Sequence, residues 1–150
     1  MALNRIDPAQ YESQLATKLA AFKGGFVSLA LPEPEVFRSA PLHYRMRVEF
    51  RIWHHDGRID YAMFGREGDE KKVVLIDDFP VAVKPICDLM PRLRDYLQDC
   101  EPLRNKLFQI EFLATDSGEL MLCLIYHRAL DEEWTAQAQV LAERFGAQVI

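Results

Sequence analysis

Residues 43–54, His-Tyr-Arg-Met-Arg-Val-Glu-Phe-Arg-Ile-Trp-His, constrain the fold more than any other stretch. Successive side chains of a strand point to opposite faces, so a period of two sorts this run cleanly. Tyr44, Met46, Val48, Phe50 and Ile52 make a core face. Arg45, Arg47, Glu49, Arg51 and Trp53 make the other, which holds three guanidinium groups, one carboxylate and a terminal indole. Such a face suits something anionic and flat. The plainer alternative is a solvated sheet face on which Arg45 or Arg47 pairs with Glu49.

The rest of the chain supplies partners for such a strand. His55-Asp56-Gly57-Arg58 turns it back into a strand over 59–64, because Asp-Gly between two alternating runs is a strong hairpin signal. A charged loop is expected over 65–72 and a short third strand over 73–76. A second hairpin pairs 107–114 with 120–127 around Thr115-Asp116-Ser117-Gly118-Glu119.

Three helices are expected. The first starts at Asp7-Pro8-Ala9-Gln10, with Asp7 as cap and Pro8 at the first helical position, and carries Tyr11, Leu15, Leu19 and Phe22 until Gly24-Gly25. Residues 26–42, with Pro32, Pro34 and Pro41, read as an extended crossing segment. The second helix spans roughly 82–99, with Ile86, Leu89, Met90, Leu93 and Leu97 on one stripe, Pro85 in its first turn, and Pro91 inside it as a kink. The third is capped by Asp131, carries Trp134, Ala138, Leu141 and Phe145, and stops at Gly146. A run beginning at Gln148 looks like a strand without a partner. The class is therefore α+β, an antiparallel sheet of two hairpins plus a short strand with helices packed on it.

Charge and motif spacing exclude several functions. The net charge of −5 argues against a protein that coats nucleic acid indiscriminately, yet five arginines face only two acids between Arg38 and Arg58. Cys87, Cys100 and Cys123 lack CxxC or Cys/His ligand spacing, so neither a disulfide framework nor a structural zinc is expected, and they read as reduced, mostly buried thiols. Adjacent His54 and His55 point to opposite faces of a strand and cannot chelate one ion. Cys123, between Leu122 and Leu124, reads as a buried thiol and not a nucleophile. None of the seven glycines falls in GxGxxG or a P-loop. No apolar run approaches the roughly 18–20 residues that span a bilayer, and the N-terminus has no secretory segment, so no membrane partner is expected and the cytosol is the default compartment.

What remains is the basic face, with Trp53, Phe108, Tyr126 and His127 as flat surfaces for unstacked bases. Strand parity would bury Phe108, which alternates with Ile110 and Phe112. His127 shares parity with Cys123 and Ile125 but ends its strand beside Arg128.

At this point longer words are legible. Pro34-Glu35-Val36-Phe37-Arg38-Ser39 and the 43–54 run are followed by Asp78-Phe79-Pro80, Lys106-Leu107-Phe108-Gln109-Ile110, Leu124-Ile125-Tyr126-His127 and Leu130-Asp131-Glu132-Glu133-Trp134. In that order they resemble the N-terminal part of bacterial tRNA (uracil-5-)-methyltransferases of the TrmA type, from about Tyr11 to the end. The resemblance implies an enzyme that forms 5-methyluridine in the tRNA T-loop with S-adenosyl-L-methionine, a cysteine adding to C6 and a carboxylate removing the C5 proton. It also implies that the cofactor-binding domain and those groups follow the region present here. The three cysteines do not stand in the family's catalytic motif. Residues 1–30 would be a helix and linker, and 31–150 an RNA-substrate-binding domain that binds RNA, holds no cofactor and no metal, and is inactive alone.

By motif, the resemblance assigns Phe108 and His127 to the bases of the T-loop. Arg45, Arg47, Arg51 and Trp53 complete the expected RNA-binding set. The parity conflict at Phe108 is resolved here in favour of exposure, on the expectation that Phe108 begins its strand at the edge of the sheet. The alternative from another class is a free-standing, non-enzymatic α+β module that binds a protein or RNA partner through Trp53 and its neighbours.

Overall fold

The computed structural model describes residues 6–67 and 70–150. Among them six strands form one sheet in the order β3-β2-β1-β4-β5-β6. They are β1 (Arg47–His55), β2 (Arg58–Glu67), β3 (Glu70–Leu75), β4 (Leu107–Ala114), β5 (Leu120–Tyr126) and β6 (Ala147–Val149). The helices are α1 (Tyr11–Gly24), α2 (Lys84–Asp99), a single turn α3 (Glu101–Arg104) and α4 (Glu132–Phe145). Both expected hairpins are present, and β1 joins them by pairing antiparallel with β4 as well as β2. The fold is α+β.

Alternation along β1 sets the two faces. Val48, Phe50 and Ile52 are buried, whereas Arg47, Glu49 and Trp53 are exposed. On the buried face Phe50, Tyr61, Phe79 and Phe112 form an aromatic cluster with tilted or edge-on contacts, centroids 5.2–6.2 Å apart. That geometry suits ring quadrupoles better than face-to-face stacking. The buried Tyr61 hydroxyl donates to Met90 O at 2.9 Å, which satisfies its one polar atom in the core. The α2 stripe Ile86, Leu89, Met90, Leu93 and Leu97 is buried as expected. At roughly 2–5 kcal/mol for truncating each such side chain to Ala, this layer carries much of the stability.

Several expectations need correction. The strand is regular only from Arg47. His43 has φ 56°, Arg45 makes an isolated parallel bridge to Ala82, and Tyr44, expected in the core, is exposed. Helix α2 starts at Lys84 because 80–83 are engaged in that bridge and its neighbouring bonds; it then runs through Pro91 without interruption. The expected charged loop is largely strand: β2 continues to Glu67 and β3 begins at Glu70, and the remaining two residues of that loop lie outside the described ones.

The final strand is not partnerless either. It pairs parallel with β5, Leu120 opposite Ala147 and Leu122 opposite Val149, and Ile150 continues the ladder in bonds to Leu122 and Leu124. A parallel partner needs a crossover, and α4 supplies it.

The first helix behaves differently from the others. Asp7 caps a 3-10 turn (Pro8–Gln10) that leads into α1, but α1 buries no residue. The extended segment doubles back beside it, fixed by Lys23–Glu33 at 2.7 Å and a bidentate Arg38–Glu12 pair at 2.6 and 3.0 Å.

Candidate nucleic-acid interface

The open face of the sheet gathers three of the expected residues into direct contact. Arg51 reaches across to β4 and sets its guanidinium carbon 3.7 Å from the centre of the Phe108 ring. His127 stacks on the same ring at 3.8 Å, with 29° between planes. Two groups of that size at those distances cannot share one side of a benzene ring. Phe108 is therefore held between a cation and an imidazole, a three-layer stack on the open face.

Phe108 is there because β4 bulges. Leu107 lies opposite Tyr126 and Gln109 opposite Ile125, so two steps along β4 match one along β5 and Phe108 is the extra residue. The bulge resets the period: Leu107 and Ile110, three apart, are both buried, and Phe108 is expelled between them. The expected reason for its exposure, an edge position, does not apply. β4 lies inside the sheet between β1 and β5, so no edge is involved.

Neighbouring bonds fix the bulge. Leu107 O accepts from His54 Nε2 at 2.7 Å, which places the proton on that nitrogen. Lys106 adopts φ 55°, a left-handed conformation uncommon for a side chain with a Cβ, and its carbonyl accepts from His127 N–H at 3.1 Å. The same bond positions His127 one residue beyond β5. Ile52, His54, Lys106, Leu107, Phe108 and His127 line a shallow groove of about 350 Å³.

The remaining expected residues are placed less centrally. Trp53 is 40% exposed and meets Phe64 of β2 edge-on at 6.4 Å, on the side of β1 away from β4. Arg47 is committed to acids: Nη2 donates to Glu111 at 2.8 Å and to Glu49 at 3.4 Å, and the Glu111 carboxylate raises the Arg47 pKa further. Gln109 also donates to Glu111. Arg45 is exposed and sits at the opposite end of β1 from the stack. Tyr126, offered by its sequence position as a flat surface, faces the core. Its hydroxyl donates to Leu103 O at 2.7 Å, and burial pushes it up to about 12.

Arg51 shows one unusual feature. Its Nη1 is buried and has no hydrogen-bond partner, and leaving such a donor unmet costs about 1–3 kcal/mol.

Nothing in the thiols suggests a nucleophile. The three cysteines are free and half-buried, less enclosed than their apolar neighbours implied. Burial, with Asp78 and Asp88 adding, raises the Cys87 pKa; the thiol donates to Ala82 O and Phe79 O, and His43 Nδ1 is 3.8 Å away. Burial and then Glu111 raise Cys123. Among the described residues no three His, Cys, Asp or Glu side chains converge as a metal site, and no helix is long and apolar enough to cross a membrane.

Sequence reasoning missed the cations beside the stack. Arg104 at the end of α3, Lys106 in the turn after it and Arg128 beyond β5 lie some fifty to seventy residues after the arginine strand, yet the paired strands bring them to the same end of the sheet as Arg58.

Comparison with known proteins adds an independent finding. The family model described as tRNA (Uracil-5-)-methyltransferase matches residues 10–150. Three proteins named tRNA/tmRNA (uracil-C(5))-methyltransferase are similar over all 150 residues: one from Azoarcus sp. at 61% identity, one from Aromatoleum aromaticum at 56% and one from Dechloromonas aromatica at 50%. The match covers 41%, 40% and 41% of their respective lengths. The chain thus spans about two fifths of the curated relatives it matches.

Proposed function

The chain belongs to the tRNA (uracil-5-)-methyltransferase family, and from that premise we propose that it is the RNA-recognition part of an enzyme that methylates C5 of the T-loop uridine of tRNA in the cytosol. Residues 31–150 bind the T-arm, and 1–30 serve as helix and linker. The relatives' names include tmRNA, which supports acceptance of other T-loop-like RNAs.

The observation that carries this reading is the Arg51–Phe108–His127 stack. A uridine buried in a folded loop becomes accessible only when its neighbours unstack. Rings already stacked on a solvent-facing surface offer replacement partners worth about 1–3 kcal/mol per base. Arg51 supports the same reading, because a phosphate oxygen reaching Nη1 as the stack opens would satisfy its unmet donor.

S-adenosyl-L-methionine would supply the methyl group, but the residues present do not fit it. The described strands joined in parallel are β5 and β6, and the turn from β5 into α4, His127 to Asp131, contains no glycine with which a backbone could approach a nucleotide. The cofactor and the nucleophile belong to the part of the protein outside these residues, and this chain binds RNA without transferring methyl.

The test is titration of a labelled T-arm stem-loop with the chain, alongside Phe108→Ala and Arg51→Ala. Each variant is expected to bind roughly 5- to 150-fold more weakly, the range given by about 1–3 kcal/mol. Equal affinity for all three proteins removes the site assignment. Binding that ignores salt favours a protein-binding module instead.

A further inference from the structure

We propose that one end of the sheet, where the β1–β2 turn, the α3–β4 turn and the exit of β5 meet, is a track for the RNA phosphate backbone, with Lys106 and Arg58 as its open contacts and His54 between them. It rests on the RNA reading above and extends it to Lys106, Arg58 and His54, to which neither the arginine strand nor the family resemblance gives an RNA contact.

Two grooves meet at this end and share His54. The first is the one beside Phe108 that includes Lys106. The second, about 290 Å³, is lined by His54, His55, Asp56, Gly57, Arg58 and Arg104. His54 borders both, with the aromatic stack on one side and the tip of the first hairpin on the other.

The charges at this end are uneven in a way the chain as a whole is not. Arg51, Arg58, Arg104, Lys106 and Arg128 stand at or beside it, against Asp56, Asp60 and the Asp131 that pairs with Arg128, in a protein of net charge −5. Most of these groups are already engaged. Arg104 donates to Gln98 O, Arg128 to Asn105 O and Pro102 O, and Asp60 is paired with His55 and Arg94. Lys106 and Arg58 differ: both are exposed, and neither side chain has a hydrogen bond or ion pair among the described residues. A cation without a partner, beside Arg104 and Arg128 whose donors are already taken, is free to meet a phosphate.

The backbone adds a second argument. Holding Lys106 at φ 55° costs energy that glycine or asparagine would largely avoid. Strain of this kind persists where surrounding structure enforces it, and it clusters at binding sites. Here the Lys106 carbonyl bond to His127 enforces it, so the residue that orients one ring of the stack also carries the free ammonium.

The experiment measures affinity of the chain for a synthetic T-arm stem-loop at several salt concentrations. Removing one phosphate-binding cation reduces the slope of log affinity against log salt by about 0.7–0.9. Arg58→Ala and Lys106→Gly are each expected to show that reduction. Glycine suits the left-handed backbone, so Lys106→Gly remains folded and a shallower slope there reports the missing charge. Lys106→Arg is expected to keep the slope, and Arg92→Ala, on the helical side, to leave it unchanged. If the native chain binds but Arg58→Ala and Lys106→Gly keep its slope, the track is wrong and the RNA reading stands. If the native chain does not bind the stem-loop at all, both fail.

Discussion

The molecule contains two clusters of arginine and aromatic rings, and they are built oppositely. On the open face, Phe108 is stacked flat between Arg51 and His127 at 3.7 and 3.8 Å. On the helical side, Tyr96 and Phe145 meet edge-on at 5.7 Å, with Arg92 and Arg144 at 5.3–6.0 Å from the ring centres. The helical cluster lines the larger groove, about 810 Å³, but Asp95, Asp99, Glu101 and Glu133 share its walls. Size would select the helical groove for a ligand; charge and ring geometry select the open face. An edge-on pair ringed by carboxylates fastens α2 to α4 and repels phosphate. A parallel stack beside unpaired cations presents a surface shaped like a base.

The largest effect that separates them is on stability. Phe145 is half-buried against the core, and truncating a fully buried Phe costs about 3–5 kcal/mol. Phe145→Ala should therefore cost about 2 kcal/mol, lowering the melting temperature by roughly 4–8 °C, while affinity for the T-arm stem-loop stays as it was. A loss of RNA affinity in a protein that remains folded would make the helical groove part of the interface and break the contrast.

A smaller effect tests geometry instead of burial. Arg51→Lys keeps the charge but loses the flat guanidinium over Phe108, a contact worth about 0.5–1 kcal/mol at exposed sites. RNA affinity should fall roughly two- to fivefold with an unchanged salt slope. Arg144→Lys, the matching change in the other cluster, should leave binding alone. If both variants bind alike, the stack is only decoration on a charged surface.

Much of this contrast is legible in the amino-acid sequence. The period-two run dictates the faces of β1, and the Ile86-to-Leu97 stripe dictates the buried side of α2, because both depend on local repeats. Asp131 and Gly146 bound α4 as expected, by a side-chain cap and a left-handed residue. What escapes a reading of the sequence depends on pairing between distant segments. A one-residue bulge cannot be read from β4 alone, since it exists only relative to β5, and it reverses the parity of Phe108. The pairing of β6 with β5 needs the whole α4 crossover. Lys106 and Arg58 come to the same end of the sheet only after β1 pairs with β4. The resemblance places Phe108 and His127 together by motif, and the bulge gives the physical reason.

The smallest effect concerns the place where the two regions join. Asp131 caps α4, accepting from Trp134 N–H at 2.8 Å, and pairs with Arg128 at 3.3 Å just after His127. The Trp134 N–H, with Arg128 adding, holds the Asp131 carboxyl below its ordinary value. A carboxyl lowered in the folded state contributes fully above its unfolded pKa, about 3.9, and that contribution is lost as pH falls through the lowered value. Asparagine keeps an acceptor at the cap but does not titrate in this range. The melting temperature of Asp131→Asn should therefore lie slightly below that of the native chain at neutral pH, and the gap should close as the solution is acidified past the carboxylate range. Affinity for the stem-loop at neutral pH should not change, because the cap serves α4 and the Phe145 side. A gap that persists in acid would assign the loss to packing and not to the charge. A fall in RNA affinity would show that Arg128 transmits the state of the cap to His127, making the two clusters one coupled unit.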